Sequence, residues 1–266
     1  MTDLQPVYGI PALKAGNCLV IGDLHIGVES HLRSKGFHLT SHTSDMHDAI
    51  LEAADDDVDR LIVIGDVKDS VPGSTKQEYR EIPDFFESLF ERFGIIDVVR
   101  GNHDTNIEEF LPGRVKLRPA TGLRIDDVGF VHGHTWPSQD VMSCETLVMA
   151  HNHPAVMFRD GVGRQTTEPC WFRGRFSEGA SDERYPQLPS GFIVVPAFNR
   201  MLGGSPVNVI DEDLLGPILN SGLLDLDDAR LYLLDGIDLG RRSDLMIKGR
   251  DRSKWKDAPQ KRAKYS

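Results

Sequence analysis

The sequence predicts a layered α/β domain, and three features carry that reading. Short apolar runs alternate with longer amphipathic segments over residues 1–155, the runs are rich in β-branched side chains, and five of them end in clusters of Asp, Asn and His. Alternation of this kind places helices against a sheet. In such sheets ligands bind at the carboxyl ends of the strands.

Taken in order, residues 18–21, 61–64, 95–99, 129–131 and 146–149 have the length and composition of buried strands. Between them, residues 24–34, 42–55 and 77–93 read as helices. The last carries Ile82, Phe85, Phe86, Leu89 and Phe90 on one stripe. After residue 155 the pattern turns to strands and turns. Residues 155–158, 170–176 and 192–196 read as strands, separated by the hydrophilic, glycine-containing stretches 159–168 and 177–190. Residues 229–234 and 237–239 flank Asp235-Gly236, a short-range hairpin signal. The folded domain is expected over residues 1–240 and a basic, flexible tail over 241–266.

Composition sets the frame. A chain of 266 residues, 39% hydrophobic and 27% charged, is an ordinary globular protein able to bury a core without staples. Cys18, Cys144 and Cys170 show no CxxC spacing, so a reducing compartment is expected rather than a disulfide framework. No signal-peptide pattern and no bilayer-length apolar run is readable, which points to the cytoplasm and away from membranes. The net charge of −11 is unevenly spread: residues 241–266 hold ten Lys or Arg against three Asp. Such a tail either touches phosphates or is simply solvated. Asp outnumbers Glu 28 to 13 and Arg outnumbers Lys 20 to 10. An acidic, lysine-poor surface suits a salt-loving source.

The chemistry sits where the strands stop. Residues 18–21 run into Gly22-Asp23-Leu24-His25, and 61–64 into Gly65-Asp66-Val67-Lys68-Asp69. Residues 95–99 run through Arg100 into Gly101-Asn102-His103-Asp104. Val131 leads into His132-Gly133-His134, and Met149-Ala150 into His151-Asn152-His153-Pro154. One Gly-Asp after a strand is usually a turn, and one His pair is usually a polar loop. Five clusters in order, all at strand ends, leave that bland reading little room. Mixed imidazole, amide and carboxylate donors without thiolate suit Mn, Fe or Zn. Two cations sharing one carboxylate need about seven protein ligands. Asp23, His25, Asp66, Asn102, His132, His151 and His153 match that number.

The ordered set GDxH, GDxxD, GNHD, HGH and HxH resembles the calcineurin-like metallophosphoesterases over residues 17–155. GDLHIGVE at 22–29 and PAFNRMLGGSPVN at 196–208 look more closely like the archaeal phosphoesterases related to SbcD-type DNA-repair nucleases. The resemblance implies a two-sheet β-sandwich flanked by helices, in four αββα layers, with two divalent ions, foremost manganese, at the sheet edges. It implies that Asp23, His25 and His153 hold one ion, that Asn102, His132 and His151 hold the other, and that Asp66 bridges them. It makes His103 the general acid, oriented by Asp69. Within HGH the ligand is taken as His132, because the family's ligand precedes the glycine; His134, with Arg100, is left to face substrate. One departure stands out, since the family commonly has glycine where this chain has Ala150. Alanine is tolerable there unless φ is positive.

Three functions fit these residues. The first is a phosphodiesterase acting on DNA, with a DNA-repair partner protein. The second is an enzyme for small phosphodiesters or monoesters, favoured by the acidic surface. The third is a binding scaffold, disfavoured because His103 and every ligand are present. His31, His38, His42 and His47 read as solvent-facing. Gly203-Gly204-Ser205-Pro206 reads as a turn. Gly161-Val162-Gly163 is too short for a dinucleotide loop, and Trp136 either stacks on a base or packs.

Overall fold

The computed structural model describes residues 1–248 apart from 38 and 211. Two sheets pack face to face. The first comprises β1 (Leu4–Pro6), β2 (Leu13–Ala15), β3 (Cys18–Ile21), β4 (Arg60–Ile64), β5 (Ile95–Val99) and β6 (Lys116–Arg118), in that spatial order. β1 to β3 form an antiparallel meander and β3 to β6 run parallel. The crossovers carry α1 (Val28–Ser34), α2 (Thr43–Ala53) and α3 (Lys76–Leu89).

The second sheet contains β7 (Leu123–Ile125), β8 (Val128–Val131), β9 (Thr146–Met149), β10 (Pro154–Arg159), β11 (Gln165–Arg175), β12 (Gly191–Val194) and β13 (Ser205–Pro206). Their spatial order is β13-β10-β11-β12-β9-β8-β7. Further along the chain, β14 (Val209–Ile210), β15 (Arg230–Leu233), β16 (Asp238–Arg241) and β17 (Ile247–Lys248) follow. β15 pairs with β11 and β16, and β14 pairs with β17. α4 (Gln139–Met142) lies between β8 and β9.

Period-two alternation divides the core. On β3, Leu19 and Ile21 face the helices while Cys18 and Val20 face the other sheet; on β4, Leu61 and Val63 oppose Ile62 and Ile64 in the same way. α3 closes the helical side with Ile82, Phe85, Phe86 and Leu89, and Thr75 and Glu78 form a capping box at its start. Between the sheets, Val128, Phe130, Val148, Trp171 and Ile193 meet Val20, Ile62, Ile64 and Val99. Over the second sheet, the fourth layer is α4 together with irregular chain that supplies Leu214, Ile218, Leu219 and Leu223. The layered fold is as expected, but its outer helical layer is one short helix. Among the described residues no helix is long and apolar enough to cross a membrane.

Several expected boundaries move for physical reasons. The helix expected from Leu24 begins at Val28, because Asp23, His25 and Gly27 have φ of 58°, 41° and 105°. Residues 23–26 instead extend the parallel ladder past β3: Asp23 N donates to Gly65 O, His25 N to Asp66 O and Ile26 N to Val67 O. β11 begins at Gln165, inside a stretch read as hydrophilic. Its first five residues are mostly exposed and held by main-chain pairing to β10, so they carry no apolar signal. Ser205 and Pro206, read as part of a turn, pair with β10. Ordered elements continue past Gly240 to Lys248; residues 249–266, most of the expected tail, lie outside the described residues.

Ala150 also finds its explanation. It is not among the residues with positive φ, and its side chain is buried between the sheets. A Cβ placed on Gly22 would come within 2.9 Å of Ala150 Cβ and 3.0 Å of Ile64 Cγ1. The space alanine takes is space that Gly22 leaves. Gly22→Ala should therefore destabilise the fold by about 1–3 kcal/mol. Part of that loss should be recovered in an Ala150→Gly background, as read by a urea-denaturation double-mutant cycle.

Candidate metal centre

The strand-end loops adopt unusual backbone to aim their side chains inward. Seven described non-glycine residues have positive φ, and five of them are Asp23, His25, Asp66, His151 and His153. Each such residue costs on the order of 1 kcal/mol or more, so the surrounding contacts must hold them. Gly65 and Gly101 make room: a Cβ on Gly65 would lie 2.4 Å from His132 Nδ1, and one on Gly101 would lie 2.2 Å from Asp66 Oδ1. Gly65 also has φ of 89°, where any side chain is strained.

Three groups of donors result among the described residues, one of them His25, Asp69 and His103, and the other two match the expected ligands. Asp23, His25 and His153 form one and Asp66, His132 and His151 the other, each with ligand atoms within 4.8 Å of one another. In the first, His153 Nε2 lies 3.3 Å from Asp23 Oδ1. In the second, His132 Nε2 lies 3.0 Å from Asn102 Oδ1, 3.1 Å from His151 Nδ1 and 3.2 Å from Asp66 Oδ2. The same Asp66 oxygen is 3.4 Å from His25 Nε2, so one carboxylate oxygen sits between both groups.

The donor chemistry calls for a cation. His132 Nδ1 faces the Ile64 carbonyl at 3.0 Å, which can only accept, so Nδ1 carries the hydrogen. Nε2 of the neutral ring then points a lone pair at the lone pairs of Asn102 and Asp66. His25 Nε2 is buried and makes no hydrogen bond. Without a metal, protons do the neutralising. Burial opposes charge on His25, but the Asp66 and Asp69 carboxylates outweigh it and push its pKa up to about 10. Burial likewise opposes charge on His132, and Asp66 and Asp23 overcome it. Burial disfavours the Asp66 carboxylate, yet His132 and His25 hold it far below the usual range. His151 goes the other way, down to about 4, through burial and then the charge of His132.

Every residue expected to bind metal is therefore gathered in one place. His103 joins them: its ring centroid is 4.6 Å from that of His25, and its main-chain N–H donates to Asp66 Oδ1 at 2.9 Å. Asp69 departs from expectation in detail. Its carboxylate contacts His25 Nδ1 at 3.2 Å, and it is its main-chain carbonyl that lies 2.6 Å from His103 Nδ1. His134 stands beside the second group, 5.2 Å from His132 between ring centroids, with its buried Nδ1 unpartnered. Burial, then the charge of His132, lowers its pKa. Arg100 is engaged as a brace, donating to Asp104 O and to Glu108 at 2.9 Å each.

Outside the centre, Trp136 has the Arg184 guanidinium 3.2 Å over its ring, which covers that face. His42 pairs with Asp45 at 2.8 Å, His47 packs on Phe85, His31 is exposed and His38 lies outside the described residues.

Three supporting residues escaped sequence reading. Asp104 is fully buried and accepts from Val67 N at 2.8 Å and Gly101 N at 2.7 Å, tying two ligand loops together. Its signal was its place in Gly101-Asn102-His103-Asp104. Asn199 donates to Leu24 O at 2.8 Å and its N–H lies on Asp23 O, so it pins the first loop. Glu78 accepts from Asp69 N and Ser70 N while capping α3. A helix cap alone gives no hint of that second duty.

A two-sheet fold with carboxylates and imidazoles converging at its strand ends defines a metal-dependent phosphoesterase. The chain belongs to the calcineurin-like phosphoesterase family, which it matches over residues 17–172. Among solved structures it is similar to Pseudomonas putida nuclease MPE, with 16% identity, a TM-score of 0.50, and coverage of 87% of this chain and 96% of that one. It also matches the E. coli phosphoesterase Yfce at 19% identity and a TM-score of 0.34, over 54% of this chain and 74% of that one. A comparison with curated proteins finds no match.

Protons and metal compete for the same atoms, which fixes a sign. The pKa of His25 is raised, so its stabilising contribution in the metal-free protein is full below about 6.5 and lost as pH rises through about 10. Metal-free protein should lose stability between pH 7 and 10, and Mn²⁺ should restore it. Binding Mn²⁺ near pH 7.5 should release a proton from His25. Calorimetry in buffers of different ionisation enthalpy would show this; a heat independent of buffer would contradict it.

Proposed function

We propose that the chain is a dinuclear-metal phosphodiesterase, with manganese as the working ion. The observation that carries this reading is Asp66 Oδ2, 3.4 Å from His25 Nε2 and 3.2 Å from His132 Nε2. Asp23, His25 and His153 would hold one ion and Asn102, His132 and His151 the other, with Asp66 within reach of both groups. Two bound cations would supply charge against the phosphoryl oxygens and acidify a water for in-line attack on phosphorus.

The chain's own groups do the rest. His103 delivers a proton to the departing alkoxide. Its Nδ1 faces the Asp69 carbonyl, an acceptor only, so Nδ1 keeps its hydrogen and Nε2 is the atom that exchanges with the leaving oxygen. The Asp69 carboxylate fixes the His25 tautomer from behind, directing Nε2 inward. His134, whose ring lies 5.2 Å from that of His132, would face the substrate beside the second group. No serine or cysteine nucleophile is required.

Two substrate classes follow from this chemistry. A cavity of about 640 Å³ that includes His153 in its wall favours a compact ester. DNA is the polymeric alternative, in keeping with the likeness to SbcD-related nucleases seen in the sequence, and a repair partner would then supply the DNA.

His103→Ala should retain Mn²⁺ and lose about 10²–10⁴-fold in turnover of bis-p-nitrophenyl phosphate, and Asp66→Ala should lose both metal and turnover. Metal analysis alongside kinetics on that diester and on labelled single-stranded and duplex DNA separates the cases. Near-normal turnover by His103→Ala would overturn the acid assignment. Metal bound by wild type without turnover of any ester would return the chain to a scaffold.

A further inference from the structure

Lysine is rarely buried without partners, yet Lys68 has no exposed surface and stands between Asp66 and Asp69 in the chain. Its main chain belongs to the extended ladder, bridging Ile26 and pointing its N–H at Asp104 Oδ1, 3.4 Å away. Its side chain then runs along its own loop. Nζ, which can only donate, reaches Ser70 O and, at 3.0 Å, Gly73 O. Glu78, also fully buried, does the same for the loop's donors. Its Oε1 accepts from Asp69 N at 3.1 Å and Ser70 N at 2.7 Å, and its Oε2 accepts from Thr75 N. Gly27 clears the space, since a Cβ there would lie 2.8 Å from Glu78 Cγ. The loop from β4 to α3 thus has carbonyls fastened to an amine and N–H groups fastened to a carboxylate.

The two clamps meet at Ser70. The peptide before it has its N–H on Glu78 and its carbonyl, Asp69 O, 2.6 Å from His103 Nδ1. A peptide is planar and turns as one body, so a fixed N–H fixes the carbonyl that orients His103. The peptide after Ser70 begins with the oxygen that Lys68 holds. With both planes held, Ser70 has no free rotation to pass on to Asp69. We propose that Lys68 is a positioning residue for the proton donor, an inference that rests on the phosphodiesterase reading above. It locks Ser70, so that Asp69 O stays on His103 Nδ1 and His103 Nε2 stays turned toward the leaving oxygen. The first metal group does not depend on Lys68 in this way. Asp69 N also lies on Ile26 O at 3.1 Å and His25 N on Asp66 O, so the ladder itself keeps the Asp69 carboxylate at His25. Lys68 therefore bears on the acid and not on the ions.

Kinetics on the full-length, Mn²⁺-loaded protein test this. Lys68→Met keeps the length of the stem and removes the donor. It should keep Mn²⁺ stoichiometry and KM and lose about ten- to a hundredfold in kcat on bis-p-nitrophenyl phosphate, the scale of a misplaced group. The loss should deepen on diphenyl phosphate, whose phenoxide is the stronger base and needs the proton more. In a His103→Ala background, Lys68→Met should change kcat by less than about twofold, because no acid is left to position. A structural role alone predicts the same loss in both backgrounds and on both esters. Glu78→Gln weakens the other clamp and should show the same dependence on His103, which keeps the test open if Lys68→Met does not fold. Equal losses with and without His103, or an undiminished kcat in whichever of the two variants folds, would overturn the positioning role and leave the phosphodiesterase reading intact. A His103→Ala enzyme as fast as wild type, or a wild type without turnover, would instead overturn the acid reading and this role with it.

Discussion

Everything in this structure answers to the convergence of lone pairs at the strand ends. Asp66 brings one oxygen to within 3.4 Å of His25 and 3.2 Å of His132, while Asn102 and His151 aim at the same His132 nitrogen. Groups of this kind repel unless positive charge lies among them. Protons on His25 and His132 can supply it, and divalent metal supplies it better, which is why metal affinity, pH and stability are bound together here.

Holding that arrangement is costly, and the fold distributes the cost. Five site residues sit at positive φ, beyond strands whose own conformation is regular. Three devices keep them there. The main-chain ladder of β3 and β4 continues into the loops, with His25 N on Asp66 O and Ile26 N on Val67 O. Buried Asp104 ties the loop after β5 to the loop after β4. Asn199, arriving from the second sheet, fixes the loop after β3. Ligand loops from both sheets thereby become one rigid constellation, as positioned catalysis requires.

The second sheet contributes more than His132, His151 and His153. Its β10–β11 pairing and the loop after β12 enclose the cleft that runs on from His153. The same loop carries Asn199, so the wall of the cleft and the loop of Asp23 are braced by a few shared residues.

Much of this was written in the chain. The apolar runs gave β3, β4, β5, β8 and β9 nearly to the residue, because buried strands need uninterrupted apolar side chains. The Asp, Asn and His clusters behind them named the donors that the structure gathers, but not Asn199 and Glu78, which brace their loops. Local pattern could not reveal what depends on distant partners. The start of α1 at Val28 follows from the ladder to residues 65–67, and the polar first half of β11 exists only because β10 lies beside it. Composition fixed the donor types and their order, since those are properties of single residues. Tertiary structure decided which carboxylate faces which imidazole: Asp69 reaches His25 with its carboxylate and His103 with its carbonyl, because only the folded ladder sets the direction in which each group points.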